Sequence, residues 1–134
     1  MLGGGNPVSS SNPAGTGTSL NYIGNHAYAY SGVVTDSSSG SAATTVLKFT
    51  TGNAYIVAKL SIFNDETGNG AIYLRADTNG EQVFRANFDS QASGSFQVQN
   101  PINLLLEPFS TFELKCGSSV DADFTAFIVG DVYA

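Results

Sequence analysis

PINLLLEPFSTFELKCGSSVDADFTAFIVGDVYA, residues 101–134, is the stretch that decides the fold of this chain. Apolar residues recur at every second position on both sides of Pro108, and a Gly-Ser-Ser turn at Gly117 precedes a last apolar run over 124–133. The alternating positions are Ile102, Leu104, Leu106, Phe112, Leu114 and Cys116. A side-chain period of two predicts half-buried strands. Three strands separated by Pro and Gly-Ser turns predict an antiparallel sheet that needs a second sheet to cover it.

The same period continues towards the N-terminus and completes a sandwich. It predicts strands at 21–34, 44–51, 54–64, 71–77 and 82–88, with a short one after Ser95. Asn79-Gly80 between two of these strands is the strongest short signal for a type I′ hairpin. No stretch has the apolar spacing of a helix. About eight strands predict an all-β, antiparallel two-sheet sandwich with jelly-roll topology; an immunoglobulin-type sandwich is the alternative, although its Cys–Trp–Cys pattern is absent.

The first 20 residues have a different composition from the rest. They are Gly, Ser, Asn, Pro and Thr with few apolar residues, among them Leu2, Val8 and Leu20, and no charged residue occurs before Asp36. Such a composition does not form a core of its own. We therefore divide the chain into a flexible, uncharged N-terminal arm (1–20) and a β-sandwich (21–134). The arm either lies along a neighbouring protein or is a linker with no role.

Composition limits the classes of partner. Only 12% of residues are charged, against 42% that are hydrophobic, which is expected where another protein covers the surface, or in an ordinary Ser/Thr-rich β-protein. The net charge of −6 and only five scattered Lys and Arg residues argue against nucleic-acid binding. No apolar run reaches the roughly 20 residues of a membrane helix, and the N-terminus lacks the pattern of a secretory signal.

No group of residues identifies a chemistry. His26 and Cys116 are the only residues of their types, so we expect no disulfide, no triad and no metal site built on His and Cys. The loop NDETGNG at 64–70 holds two acids, but its spacing does not match an EF-hand. A glycosidase-type carboxylate pair stays open, but the chain lacks the Trp platforms common in sugar clefts. We expect no catalytic residue, no cofactor and no enzyme.

Aromatic residues on the predicted strands are the candidate contact residues. On 54–64 the face opposite the predicted core holds Tyr55, Val57, Lys59, Ser61 and Phe63, which is only partly polar. The predicted contacts to a shell protein or to another copy of this chain are Leu2, Val8, Leu20, Tyr22, Tyr28, Tyr30, Tyr55 and Phe63. Exposed tyrosines, including Tyr73, equally suit a sugar-binding surface if they form a flat row.

The C-terminal stretch resembles a known group of virion proteins. Its Ile-x-Leu-x-Leu run, Phe-Glu-Leu, Gly-Ser turn and final Ala-Phe-Ile-Val-Gly-Asp-Val strand look like the end of the small jelly-roll head decoration, or cement, proteins of tailed bacteriophages. Related domains occur in phage fibres and in tumour-necrosis-factor-like trimers. The resemblance is one of pattern over about 21–134, and the group has no diagnostic motif from which a functional residue is carried over.

The resemblance implies a mechanical role. Copies made in the host cytoplasm would bind the outer surface of the phage head and clamp neighbouring major capsid proteins. A homotrimer is favoured over a homodimer, without nucleic acid or membrane as partner. The alternative is a carbohydrate- or receptor-binding sandwich of a fibre or spike. A secreted trimeric signalling domain is a further class, disfavoured because the sequence has no signal peptide.

Overall fold

The protein folds as eleven β-strands, without a helix, over the residues that the structure describes. The computed structural model describes residues 20–66, 70–89, 94–97 and 101–133. The strands are β1 (Asn21–Ile23), β2 (His26–Tyr30), β3 (Val34–Ser37), β4 (Thr44–Thr50), β5 (Tyr55–Glu66), β6 (Ala71–Thr78), β7 (Glu81–Asp89), β8 (Gly94–Gln97), β9 (Ile102–Leu106), β10 (Thr111–Ser118) and β11 (Asp121–Tyr133). None of these residues belongs to a helix long and apolar enough to cross a membrane.

The strands form two antiparallel sheets. The seven-stranded sheet has the order β1-β2-β11-β5-β8, with β3 also pairing with β11 and β9 with β5. The four-stranded sheet has the order β4-β10-β6-β7. The long strands β5 and β11 pair over twelve residues, from Ala122 opposite Glu66 to Tyr133 opposite Tyr55. They form the centre of the larger sheet.

The pairing is nested, which confirms the predicted jelly roll. The hairpin β6–β7 lies innermost, in the four-stranded sheet. Around it β5 pairs with β8 and β9, then β4 with β10, and finally β2 and β3 with β11. Successive pairs alternate between the sheets, as in a long hairpin rolled up so that its two layers cover each other.

The predicted single strand at 21–34 is divided into β1, β2 and the start of β3. Gly24 and Gly32 have φ of +58° and +70°, which Gly adopts without steric cost. Gly24 and Asn25 close a tight turn in which Ile23 pairs with His26. A strand over 21–34 with a bulge or bend at Gly24 was predicted; the bend is confirmed, whereas the break at Gly32 was missed because the alternation continues through it.

Two strand ends differ from the prediction. Strand β5 continues to Glu66, so Asp65 and Glu66 pair with β11 instead of lying in a calcium-type loop. Residues 67–69 of that loop lie outside the described residues. Strand β3 reaches Ser37, three residues into the predicted loop after Val34. In each case the long partner strand β11 supplies backbone hydrogen bonds that a local pattern does not reveal.

The β6–β7 hairpin confirms the Asn-Gly prediction. Asn79 and Gly80 have φ of +54° and +85°, as a type I′ turn requires. Asp77 continues the outward series of Tyr73 and Arg75, but only 6% of its side chain is accessible. Arg75 Nε donates to Asp77 Oδ1 at 2.8 Å and Lys115 Nζ lies 3.9 Å from Asp77 Oδ2, so two cationic side chains cover this outward carboxylate.

The core lies between the sheets and follows the predicted alternation. Ile56, Ala58, Leu60 and Ile62 of β5 are all at most 2% exposed. Phe124 of β11 is fully buried, and Phe49 and Phe112 pack with their ring centroids 5.3 Å apart. Cys116 is buried as a small apolar residue, and this burial raises the pKa of its thiol far above the ordinary value. The core therefore uses one face of each sheet and leaves two outer faces.

Candidate functional site

The two outer faces of the sandwich differ in chemistry. The four-stranded sheet presents a charged face, with Lys48, Arg75, Asp77, Arg85, Glu113 and Lys115 among its outward side chains. Ten large hydrophobic side chains are exposed among the described residues, and seven of them lie on the outer face of the seven-stranded sheet. These seven are Ile23, Tyr30, Tyr55, Val57, Leu105, Val129 and Tyr133. We call this surface the apolar face.

An aromatic ladder crosses the apolar face. Tyr28 and Tyr30 are two residues apart on β2, so their rings lie on the same side, with centroids 5.4 Å apart. Phe127 is the register partner of Tyr30 on β11, and its ring lies edge-on at 6.0 Å. Phe63 on β5 stacks on Phe127 at 6.3 Å. The ladder therefore joins three strands that are far apart in the sequence.

Beside the ladder lies a groove of about 710 Å³. Its floor is the backbone of the register row Ala27, Gly130 and Ala58 on β2, β11 and β5, whose side-chain positions face the core. Its two banks are formed by outward side chains of the neighbouring rows: Ile23, His26, Asp131 and Val57 on one side, Tyr28, Val129, Lys59 and Asn103 on the other.

Gly130 is required where β11 approaches β5 most closely. A Cβ at this position would lie 2.6 Å from the carbonyl oxygen of Val57 and 2.9 Å from Cα of Ala58. Both are backbone atoms that cannot move aside without displacing the strand. A glycine in the middle of a strand often marks such a close backbone approach. Gly130 belongs to the inward-facing series with Ile128 and Val132, so a side chain at this position would enter the core next to Ile56 rather than fill the groove.

Polar groups occur only along the edges of the groove. His26 Nδ1 and Asp131 Oδ1 are 2.9 Å apart, and 72% and 59% of the two side chains are exposed. An ion pair so exposed contributes little to stability. Lys59 and Asn103 are exposed on the opposite bank. Within the described part of the chain, no three His, Cys, Asp or Glu side chains are grouped to hold a metal ion.

Four of the predicted contact residues lie on the outer face of the seven-stranded sheet. Tyr28, Tyr30 and Phe63 belong to the aromatic ladder, and Tyr55 lies on the same face opposite Tyr133 of β11. Their contact role stays a prediction.

The remaining predicted residues lie elsewhere. Leu20 is only 8% exposed and belongs to the core. The sequence had predicted it as a contact residue at the end of the arm. The side chain of Tyr22 packs against the core, and its hydroxyl accepts a hydrogen bond from the backbone N–H of Gly52 at 3.2 Å. Leu2 and Val8 lie outside the described residues.

Sequence reasoning missed the contribution of β11. Phe127, Val129 and Tyr133 alternate with the buried Ile128 and Val132, so the last part of this strand is largely apolar on its outer side too, with Asp131 as the exception. The continuous apolar run over 124–133 was the available signal, because a strand with water on one side alternates apolar with polar residues. The outer side of β11 therefore contributes apolar residues to the apolar face.

Comparison with known proteins leaves the chain without a family. No protein-family profile matches it, and no curated protein does. Among solved structures it is similar to a chain of the T13 IBDV viral particle, with 8% identity and a TM-score of 0.48 over 84% of this chain and 32% of that one. It is also similar to a family 35 carbohydrate-binding module from Clostridium thermocellum, with 12% identity and a TM-score of 0.41 over 75% and 90% of the two chains. With TM-scores below 0.5, no property of these proteins is transferred to this chain.

Proposed function

We propose that this chain is a structural virion protein, a decoration or cement protein that binds the outside of a phage head and clamps neighbouring major capsid proteins. The observation that supports this proposal most is the concentration of seven of the ten exposed large hydrophobic side chains on one sheet face. Soluble monomers rarely expose a contiguous apolar patch above a few hundred Å² unless it binds a partner. The proposal assigns no catalytic role, and neither nucleic acid nor membrane is a partner.

The size of the apolar face suits a protein partner. The seven side chains are between 39% and 64% exposed. A large side chain that is about half exposed presents roughly 80–100 Å² of surface to solvent, so the seven together present roughly 600 Å² of mainly apolar surface. A specific protein interface buries about 800 Å² per partner. The face therefore provides most of one standard interface with the aromatic side chains that such interfaces favour.

A clamp also requires rigidity and repetition. Strands β5 and β11 are hydrogen-bonded to each other over twelve residue pairs, which makes the larger sheet rigid. The described residues contain no helix about which one part of the protein could move against another. Symmetric homo-oligomers, here a homotrimer with a homodimer as the alternative, would place several such faces on one lattice. Linked binding sites increase affinity without any new contact.

The test is co-sedimentation with phage heads that lack the protein. We expect the wild type to pellet with heads to a saturable level. We expect Leu105→Asp, which places a charge at a site 62% exposed on the apolar face, to remain in the supernatant. Arg85→Asp on the charged face is the control and should pellet like the wild type. Deletion of residues 1–19 tests the arm, and it stops before Leu20 because that side chain is buried.

A wild type that stays in the supernatant refutes the cement proposal. Equal pelleting of Leu105→Asp and the wild type refutes the role of the apolar face. Equal pelleting of the arm deletion and the wild type leaves the arm as a linker.

A second candidate function rests on the aromatic ladder. The rings of Tyr28, Tyr30 and Phe127 are inclined at 43° and 67° to one another, so they do not form the flat row that would favour sugar most. Tyr30 alone, 56% exposed and close to the hydrogen-bonding groups of Asn103 and Asp131, is a ring on which a sugar can stack. A glycan array checks it. Binding that is lost in Tyr30→Ala but kept in Tyr73→Ala, on the opposite sheet, supports a carbohydrate-binding module, and an array without signal rules it out for the glycans presented.

A further inference from the structure

The turn between β9 and β10 presents a single aromatic ring to solvent. Phe109 is 75% exposed, the highest value among the large hydrophobic residues of the described chain. Its φ is +55°, in the left-handed region that residues other than Gly rarely adopt. A bulky residue in this region signals strain that the surrounding structure must hold, and such strain often marks a functional position.

The turn is held by hydrogen bonds to the neighbouring loop. The N–H of Phe109 donates to Gly52 O at 2.8 Å, and the N–H of Ser110 donates to Thr51 Oγ1 at 2.8 Å. Thr51 in turn donates two hydrogen bonds to the turn. Its N–H donates to Ser110 O at 2.8 Å, and its hydroxyl donates to Glu107 O at 2.7 Å. Thr51 and Ser110 are 4% and 2% exposed. Residues 107–109, which we call the knob, are therefore presented in one fixed shape.

The groove on the apolar face has the complementary chemistry. Ile23, Tyr28, Val57 and Val129 give it apolar walls, and its volume of about 710 Å³ accommodates an aromatic ring with the turn that carries it. Phe109 does not line this groove and stays exposed, so it does not fill the groove of its own chain. Tyr55, Leu105 and Tyr133 of the apolar face lie outside the groove, so an occupant of the groove leaves them free to contact the capsid.

Charge is complementary as well. Lys59 on the groove bank has no ion-pair partner among the described residues, and the knob carries the exposed acid Glu107 two residues before Phe109.

We propose that the knob of one copy inserts into the groove of the next copy, so that copies associate head to tail. This inference rests on the homo-oligomer of the proposed function and names its contact. Two different surfaces of each copy take part, so the interface is heterologous, and rotational symmetry closes it into a ring. A fixed knob loses little conformational freedom on binding.

A second copy fits the groove better than an unrelated acidic protein or peptide. The chain carries a net charge of −6, so two copies repel each other over most of their surfaces. Lys59 on the groove bank attracts Glu107 of the entering knob and offsets part of this repulsion at the contact. The knob and the groove are also both present on every copy, as a head-to-tail contact requires.

Sedimentation velocity of purified variants tests the contact. Phe109→Asn removes the ring, and Asn tolerates the left-handed backbone. Val57→Asp places a charge in the groove at a site 52% exposed, and Val83→Asp, 53% exposed on β7 of the other sheet, is the matched control. We expect the wild type and Val83→Asp to form oligomers. Phe109→Asn and Val57→Asp should each associate at least about 30-fold more weakly, the loss typical of an aromatic anchor.

Mixing the two defective variants gives the decisive result. Phe109→Asn keeps an intact groove and Val57→Asp keeps an intact knob, so the mixture should form 1:1 heterodimers through one restored contact. Circular dichroism checks that each variant is folded, and Val129→Asp replaces Val57→Asp if that variant unfolds.

Three outcomes overturn the inference: a wild type that stays monomeric up to about 1 mM, an oligomer unaffected by Phe109→Asn, or a mixture that stays monomeric. Oligomers that ignore phage heads refute the cement proposal alone, and monomers that pellet with heads refute this inference alone.

Discussion

Replacing Asp36 should destabilise the corner where the chain crosses from one sheet to the other. Asp36 lies on β3 in the seven-stranded sheet and is 1% exposed. Its Oδ1 accepts a bond from the Thr44 hydroxyl at 2.6 Å. Its Oδ2 accepts bonds from the N–H groups of Ser39 and Ser118, both at 3.1 Å. Thr44 and Ser118 belong to β4 and β10 of the four-stranded sheet, so this carboxylate connects the two layers.

The three bonds set the expected size of the effect. In Asp36→Ala three donors lose a charged acceptor, at about 1–1.5 kcal/mol each, so we expect a loss of about 3–5 kcal/mol in the free energy of unfolding. At an unfolding entropy of about 2.1 cal/mol/K per residue, each kcal/mol lowers the midpoint temperature of this chain by about 3.5 °C. In Asp36→Asn an amide oxygen still accepts the backbone bonds, and the Thr44 hydroxyl can turn to accept, so a loss of about 1 kcal/mol is expected.

The same carboxylate predicts a dependence on pH. Burial alone raises the pKa of Asp36, but the hydrogen bonds from Thr44, Ser39 and Ser118 outweigh burial and hold the pKa below its ordinary value of 3.8. Because the folded pKa is the lower one, the ionised carboxylate contributes its full stability above pH 3.8, and this contribution is lost as the pH falls through the folded pKa. The advantage of the wild type over Asp36→Asn should therefore shrink in acid.

The assay is urea unfolding followed by far-UV circular dichroism, since the chain has no Trp for fluorescence. Measurements on the wild type and both variants should run from about pH 7 to about pH 2. Asp36→Ala within about 1 kcal/mol of the wild type at neutral pH would refute the connection between the sheets. A gap between wild type and Asp36→Asn that stays constant down to the lowest pH would refute the assignment of the acid effect to this residue.

Three further perturbations follow from the packing. Phe124→Ala removes a fully buried ring and should cost about 3–5 kcal/mol in urea unfolding. Gly117→Ala should destabilise the fold more than Gly80→Ala in thermal unfolding: a Cβ at Gly117 overlaps the carbonyl oxygen of Ser41, whereas Gly80 has open space around it and only its positive φ opposes Ala. Cys116, being buried with a raised thiol pKa, should react with a thiol reagent only as fast as the protein unfolds.

Local patterns predicted most of the fold. Phe112 and Leu114 are buried where the alternation of β10 placed them, and the Asn79-Gly80 turn has the expected backbone geometry. The errors occur where a distant strand overrides the local pattern. Asp65 became part of β5 because β11 is long enough to pair with it, and Asp77 is covered because it pairs with Arg75 and with Lys115 of β10.

The candidate site was predictable only in part. Tyr28, Tyr30 and Phe63 were predicted as contact residues from their strand positions, but Phe127, which joins them, was not. Nothing in the local sequence around Phe109 indicates a fixed knob, since its partners Thr51 and Gly52 precede it by more than fifty positions.

By itself, the sequence determined that the chain is an all-β sandwich and which side chains face its core. Those properties follow from the period of two, which any strand carries locally because successive side chains point to opposite faces. Only the tertiary structure decided that β2, β11 and β5 lie side by side. Their register places the aromatic ladder and the groove on one face and the braced Phe109 in a separate turn. Register between distant strands is set by the packing of the whole sandwich, so residues far apart in the sequence meet in a way that no local pattern specifies.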